Sequence, residues 1–354
     1  MADKIKILTI KITTEKGTNV EVHRVPVRDN KPQPWALRNT EEKYQTLEQR
    51  LRRVYREAQQ DLMMKQMDFL QRHEKRVEKY SRQVEAGLLT KQDFQAWMRG
   101  QLFQERQWEL KRGQLARMMV NVDKTAMAMV NEGKMEIFAD NADHMLFRIE
   151  QDAGVTTPFG LFNQDAVIRL IRDEPNLLPM AGLDEGKDYA YYNEVMQNAV
   201  IQGILQGETL DEIAKRVADD TGEKAFNTLR RNARTAYTGA QNAGALLSMR
   251  RARDTLGLKL KKRWMATLDS HTRDAHAALD GQVRDIDEPF DSLLGDIMYP
   301  GDLDAEPANV WNCRCWMDEF YPDSDNTMYR WDDEEGEYVG DVTYKEWRRM
   351  KGGA

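Results

Sequence analysis

From Thr40 onward, apolar residues recur every three or four positions: Tyr44, Leu47, Leu51, Val54 and Ala58, with charged residues filling the intervals. That period marks one face of an α-helix. It continues loosely through Leu62, Met63 and Met67 towards Val84, and Gly87 is a plausible stop. A helix this long with one narrow apolar seam cannot bury the seam alone. It demands partner helices, as an antiparallel hairpin or in an oligomer. Thr90 followed by Asp93 resembles a capping box and starts a second helix, whose face carries Phe94, Trp97 and Met98. Phe103, Trp108, Leu110 and Leu115 extend the pattern, and the Met-rich patches (Met118, Met119, Met127, Met129) fit adaptable core.

The flanks read differently. "IKILTIKI" and "VEVHRVPV" are β-branched and partly alternating around "TTEKGTN", which predicts a hairpin; "RDNKPQPW" then reads as a linker. Residues 150–190 gather Gly and Pro, a boundary with short helices over 164–172 and 189–202. Gly207 ends a helix, and Thr209 with Glu212 caps the next, which buries Ile213 and Val217. Acids outnumber bases on that helix, so a packing hairpin is preferred over a DNA-reading helix-turn-helix. A long helix is expected over 223–256, closed by Gly257. Its small residues (Ala233, Ala236, Gly239, Ala240, Ala243, Gly244, Ala245) permit close approach of another backbone. "LKLKKRWMATLD" reads as a strand anchored by Trp264. "SHTRDAHAALDG" reads as a short helix capped by Ser270 or Thr272 and stopped at Gly281. Extended stretches at 283–290 and 310–320 complete a small unit around Trp264, Phe290 and Trp311.

The fold class expected is therefore α+β: a mainly helical N-terminal part with long helices and a small mixed α/β C-terminal domain. The divisions are a hairpin arm and linker (1–35), a long-helix region (36–150), a helical connector (151–222), the small domain (223–322) and an acidic, aromatic tail (323–354). Two cysteines in 354 residues exclude a disulfide scaffold and suit a reducing compartment. The start carries no h-region with a cleavage site, and no apolar run approaches the ~20 residues of a spanning helix. A chain neither secreted nor inserted in a membrane is expected. Formal net charge is −7, yet about eleven Lys/Arg face a single acid, Asp254, between Lys224 and Arg263. Arg230, Arg231, Arg234, Arg250, Arg251, Arg253, Lys261 and Lys262 are the candidate contacts to a polyanion such as DNA. The alternative is a basic helix face turned to acids of its own fold. From Asp318 to Glu346 the balance inverts.

In order along the chain, "ARTAYTGAQNAG", "KRWMATLDSHTRDAHAALDGQ", "YPGD" and "NCRC" resemble the C-terminal domain of the phage Mu F-like minor head proteins, also called phage head morphogenesis proteins. The resemblance covers roughly residues 200–320. It rests on Trp264, Asp269, Arg273, His276, Asp280, Gly281, Pro300, Gly301, Asp302, Asn312, Cys313 and Cys315. The family pattern often has an acid after the "ART"-type threonine, where this chain has Ala236, so no role is carried to that position. The resemblance implies a low-copy structural head protein without turnover, associated with the portal vertex, head morphogenesis, and DNA packaging or ejection. Portal, major capsid and scaffold proteins would be its partners, with non-specific genomic DNA through the basic stretch, and no membrane. It would reside inside the virion head, and in the host cytoplasm during assembly.

The two cysteines sit one residue apart, in "WNCRCWMDEF". Two readings remain open. In the preferred one, no cofactor is needed: His276 donates a hydrogen bond to a loop backbone and the cysteines pack as small apolar groups. In the other, His271, His276, Cys313 and Cys315 form a tetrahedral zinc set, although C-x-C is tighter than the usual C-x2-C. Asp280–Gly281 and Pro300–Gly301 read as turns, with Asp302 and Asn312 tying loops to backbone. An enzymic alternative would use His276 and Cys313 as base and nucleophile, or Asp269, Asp280 and Asp302 around a divalent metal, in hydrolysis or group transfer. No catalytic residue is assigned, because no spacing here is specific to a known reaction.

Overall fold

The computed structural model of the protein describes residues 8–13, 19–24, 34–104, 106–267, 271–322, 348–349 and 351–352. The expected hairpin is present as β1 (Leu8–Thr13) and β2 (Asn19–Arg24), antiparallel with Leu8 opposite Arg24. Helices follow: α1 (Trp35–Glu85), α2 (Lys91–Gln104), α3 (Arg106–Ala153), α4 (Gln164–Asp173), a 3-10 turn (Pro175–Leu177), α5 (Glu185–Gln206) and α6 (Leu210–Leu256). The last part holds β3 (Lys261–Met265), α7 (Asp274–Leu279), β4 (Val283–Asp285), α8 (Pro307–Val310) and β5 (Trp316–Phe320). The α+β class read from the sequence is the class observed.

The chain divides into two compact units, both discontinuous in sequence: Met1–Thr46, Val130–Met180 and Arg231–Ala354 form one, Leu47–Met129 and Ala181–Arg230 the other. In the second, the seam of α1 is buried through Leu47, Leu51, Tyr55, Ala58 and Leu62, with Val54 only partly covered. Leu115, Met119 and Met127 of α3 are buried there as well, while Met118 and Met129 are half-covered. Asp123 of α3 accepts hydrogen bonds from the hydroxyls of Tyr55 and, at 2.5 Å, Tyr192 of α5. Burial raises its carboxyl above the ordinary range, against the pull of those bonds. The capping boxes form as read: Asp93 N–H donates to Thr90 Oγ1 at 3.0 Å, and Thr209 N–H donates to Glu212 Oε2 at 2.7 Å. Gly87 and Gly207 take positive φ at the helix ends.

One boundary differs. A helix after Thr209 and a separate one from Glu223 were expected; α6 runs unbroken from Leu210 to Leu256. Gly222 does not interrupt it. A Cβ there would lie 2.2 Å from Gln59 Cγ, so the glycine lets two helices approach rather than ending one.

In the first unit α1 and α3 run antiparallel, as the hairpin reading requires: Asn39 bonds Asp140, and Lys43 pairs with Asp140 at 2.7 Å and with Glu136 one turn earlier. The small residues of α6 do admit backbone. A Cβ on Gly244 would sit 2.3 Å from the Phe138 carbonyl oxygen of α3, and one on Gly239 would sit 2.6 Å from the Gly301 carbonyl oxygen. Ser248 Oγ adds a 2.7 Å bond to the Ala142 carbonyl.

The strands form an antiparallel sheet in the order β4-β3-β5. Its inner face meets α6 and α3 through a core of Trp264, Phe290, Ile286, Leu279, Met317, Met249 and Ile149. Trp264 and Phe290 are fully buried, edge to face at 5.2 Å. Trp311, expected with them, is 46% exposed. The stretch expected as extended from Val310 instead begins with α8, and pairing starts only at Trp316. The helix in "SHTRDAHAALDG" starts after Arg273, without a side-chain cap; Thr272 Oγ1 donates to the Thr267 carbonyl instead. The acidic, aromatic stretch at 323–347 lies outside the described residues. Beyond it, Lys351 reaches Glu150 Oε1 and the Thr157 carbonyl, each at 2.8 Å.

Candidate functional site: a histidine–cysteine knot

His276 comes from α7, which follows β3 in the chain and ends before Gly281, at φ +76°. Its Nε2 faces two acceptors, the Asn309 carbonyl oxygen at 2.8 Å and Asn309 Oδ1 at 3.0 Å. The amide of Asn309 is oriented by its own Nδ2, which donates to the Gly295 carbonyl at 2.9 Å. With oxygens on that side, Nε2 carries the proton and Nδ1 presents a lone pair. Nδ1 in turn faces Cys313 Sγ at 3.4 Å and Cys315 Sγ at 3.6 Å. The edge of Trp264 closes the ring in at 5.4 Å between centroids. His276, Cys313 and Cys315 are 2%, 2% and 3% exposed.

The loop bearing the cysteines is held by its backbone. Thr235, Thr238 and Asn242 lie three and four residues apart, on one face of α6. Thr235 Oγ1 accepts from Asn312 N–H at 2.9 Å, and Thr238 Oγ1 donates to the Cys313 carbonyl at 2.7 Å. Asn242 Nδ2 donates to the Pro300 and Cys315 carbonyls at 3.1 and 3.2 Å, and its Oδ1 accepts from Met317 N–H at 2.8 Å. Asn312 itself takes φ +58°, the left-handed region an asparagine tolerates. Arg273 donates to the Trp311 carbonyl, and Thr267 Oγ1 to that of Arg314 at 2.6 Å. Asp280 Oδ1 accepts from Ala266 N–H, and the Asp302 carboxylate accepts from the Met298 and Asp304 N–H groups. The motif residues thus close turns around one buried centre.

Of the residues singled out in the sequence, Asp269 lies outside the described residues. His271 is exposed and is not part of the cluster; among the described residues the potential metal-ligand group at this place is His276, Cys313 and Cys315. Both cysteines are free thiols. Asp280 and Asp302 are engaged by backbone N–H groups and form no cluster with His276. The clamp of Thr235, Thr238 and Asn242, and Asn309 behind the imidazole, were not singled out. Their signal was present for the helix, as polar residues at helical spacing within "ARTAYTGAQNAG".

The basic stretch meets acids of its own fold. Arg230 pairs with Glu48, and Arg234 grips Glu41 while lying 3.7 Å over the Tyr44 ring. Arg250 and Arg253 share Asp287, and Lys261 pairs with Asp285 at 2.8 Å. Arg251 stacks on Phe162, and Arg231 is exposed. Lys262 is fully buried, donating to the Met298 carbonyl at 2.8 Å; burial, helped by the charge of Arg250, lowers its pKa to about 7. These eight do not form one open cationic face, because most of them are turned to carboxylates, an aromatic ring or the core.

Another buried polar group joins α3 to β5. Arg148 contacts Asp318 and, at 2.7 Å, Glu319, while Arg263 reaches Asp318 at 2.8 Å. Burial would raise both acids. The two guanidiniums hold Asp318 below its ordinary value, while Glu319, beside Asp318 and Asp152, stays well above.

The segment that builds this knot, residues 194–317, matches the family model described as Phage Mu protein F like protein. Over that segment the chain is similar to the Mu F-like family. The chain is also 29% identical over 193 residues to "Minor head protein GP7" of Bacillus phage SPP1, covering 54% of this chain and 61% of that protein. It is 31% identical over 205 residues to "NAD(+)--arginine ADP-ribosyltransferase EFV" of Enterococcus faecalis, covering 57% of this chain and 40% of that protein. An uncharacterized protein of Haemophilus influenzae is 30% identical over 127 residues. The chain thus spans less than two thirds of the length of the curated relatives it matches. No solved structure shows significant similarity to it.

Proposed function

We propose that this chain is a minor structural protein of a phage head, placed at the portal vertex and acting in head morphogenesis and in DNA packaging or ejection. The observation that carries the reading is that the Mu F-like segment and the buried knot coincide: the matched range, 194–317, contains the side chains that lock α6, α7 and the cysteine loop into one body. The match to a minor head protein supports the same role. A rigid domain of this kind, joined to helices as long as α1 and α3, suits a part that docks on other head proteins. Portal, major capsid and scaffold proteins are the partners proposed, and the interior of the virion the location, with assembly in the host cytoplasm. Among the described residues no helix is long and apolar enough to cross a membrane.

A catalytic role is disfavoured by burial. With His276 and Cys313 each 2% exposed, no substrate can reach either as base or nucleophile without opening the knot. The transferase named among the relatives shares 40% of its length with this chain, and its activity is a property of that protein.

The test is co-purification with portal protein and with coat protein, separately. Retention by portal through a stringent wash is expected; loss there, with DNA binding that weakens steeply as salt rises, would replace the portal reading by a genome-contacting one.

A further inference from the structure

We propose that His276 Nδ1, Cys313 Sγ and Cys315 Sγ form a binding site for a zinc ion, which ties α7 to the loop entering β5. With Zn–S about 2.3 Å and Zn–N about 2.0–2.1 Å, a tetrahedral ion sets its nitrogen and sulfur ligands about 3.5–3.6 Å apart. The observed Nδ1–Sγ separations are 3.4 and 3.6 Å. All three donor atoms lie within 4.8 Å of one another, as a group that could hold one ion.

Distances of this size also suit a thiol–imidazole hydrogen bond, and the surroundings favour the metal. The Nε2 proton is committed to Asn309, whose amide is itself fixed by Gly295. That is how metal-ligating histidines are oriented: the far nitrogen donates to an oxygen and the near one keeps its lone pair. Both sulfurs converge on that one lone pair, which can accept only one S–H. Cys315 N–H donates to Cys313 Sγ at 3.3 Å, a bond that stabilises a thiolate. Zinc binding would release both thiol protons to solvent, and these three donors would leave its fourth position to a non-protein ligand. A thiophilic, borderline-soft ion matches two sulfurs and an imidazole, whereas magnesium or calcium would want oxygen.

This set differs from the one legible in the sequence, because His271 is outside it. The test uses the full-length protein, purified without chelator and analysed for metal. Stoichiometric zinc is expected in the wild type and in His271→Ala, with loss in His276→Ala. Asn309→Ala removes the Oδ1 acceptor and leaves the carbonyl at 2.8 Å, so it should weaken zinc binding by about 10-fold, the low end for an outer partner of a ligating histidine. Should His276→Ala not fold, the wild type decides: cobalt(II) added after zinc removal should give a thiolate-to-cobalt charge-transfer band and tetrahedral d–d bands. Zinc-free protein with no cobalt band overturns the site, as does a Cys313–Cys315 disulfide under non-reducing conditions. Loss of zinc from His271→Ala overturns the three-donor assignment. A zinc-free protein still retained by portal would remove this site and leave the head-protein reading intact.

Discussion

Replacing Gly301 by alanine tests the contact on which the knot closes. Gly301 has φ +83°, and a Cβ there would lie 2.5 Å from Gly239 N, 2.8 Å from Gly239 Cα and 3.0 Å from the Thr238 carbonyl carbon. All three are backbone atoms of α6, and none can swing aside. Gly281 has φ +76° and nothing within 4 Å of its Cβ position. Both substitutions carry the cost of alanine in the left-handed region, about 1–2 kcal/mol, partly offset by a stiffer unfolded chain. These contributions cancel when the two variants are compared. What remains is the displacement of backbone from backbone, on the scale of overpacking: about 1–3 kcal/mol more for Gly301→Ala than for Gly281→Ala. The measurement is guanidinium unfolding of both variants, comparing midpoints at unchanged m. Gly239→Ala adds a test of sign. In an open helix it would stabilise by about 1 kcal/mol; here its Cβ would meet the Gly301 carbonyl oxygen at 2.6 Å, and a net loss is expected. Equal midpoints for Gly301→Ala and Gly281→Ala, together with a stabilising Gly239→Ala, would refute the close approach.

Asn242→Ala removes the partners of the Pro300 and Cys315 carbonyls and of Met317 N–H in one step, and should cost about 3–5 kcal/mol at the scale of a buried polar group left unmatched; a thermal melt within the error of wild type would contradict the clamp. Lys262 has a folded pKa of about 7, depressed by burial, against ~10.4 when unfolded. Between those values the unfolded chain holds a proton that the folded one lacks, so this residue makes stability rise with pH from 7 towards 10 and fall on acidification. Lys262→Met should flatten that slope, read from denaturation midpoints across the range. Arg148→Met leaves the buried Asp318 and Glu319 without their shared cation and should cost about 3–5 kcal/mol, much of it recovered when Asp318→Asn and Glu319→Gln are added; a silent single variant in calorimetry would show the pair to be solvated.

Signals carried by residues close in sequence were legible. The seam from Tyr44 to Leu62, the boxes at Thr90 and Thr209, and the glycine stops at 87, 207, 257 and 281 are local, because helix period and end chemistry are set within a turn or two. The small residues of α6 announced a close neighbour without saying which; Gly244 meets α3 and Gly239 meets the 300–301 turn. The division of that helix before Glu223 did not hold: α6 continues through Gly222, whose missing side chain admits Gln59. Partners far apart along the chain were not legible. Arg234 with Glu41 and Arg148 with Glu319 need coordinates to be paired, and so the basic stretch could be read as waiting for DNA. At the knot, His276, Cys313 and Cys315 stood out by residue type, whereas Asn309 and Asn242 matter by position alone.

The clamp on the cysteine loop grips only peptide groups: three polar side chains of α6 bind main-chain atoms of Asn312, Cys313, Cys315 and Met317. The loop's course is therefore indifferent to the identity of the residues that point away from the helix. Trp311, half in solvent, is such a residue. A scaffold built this way separates the backbone course that must stay constant from the outward side chains, so one knot can present different outward chemistries.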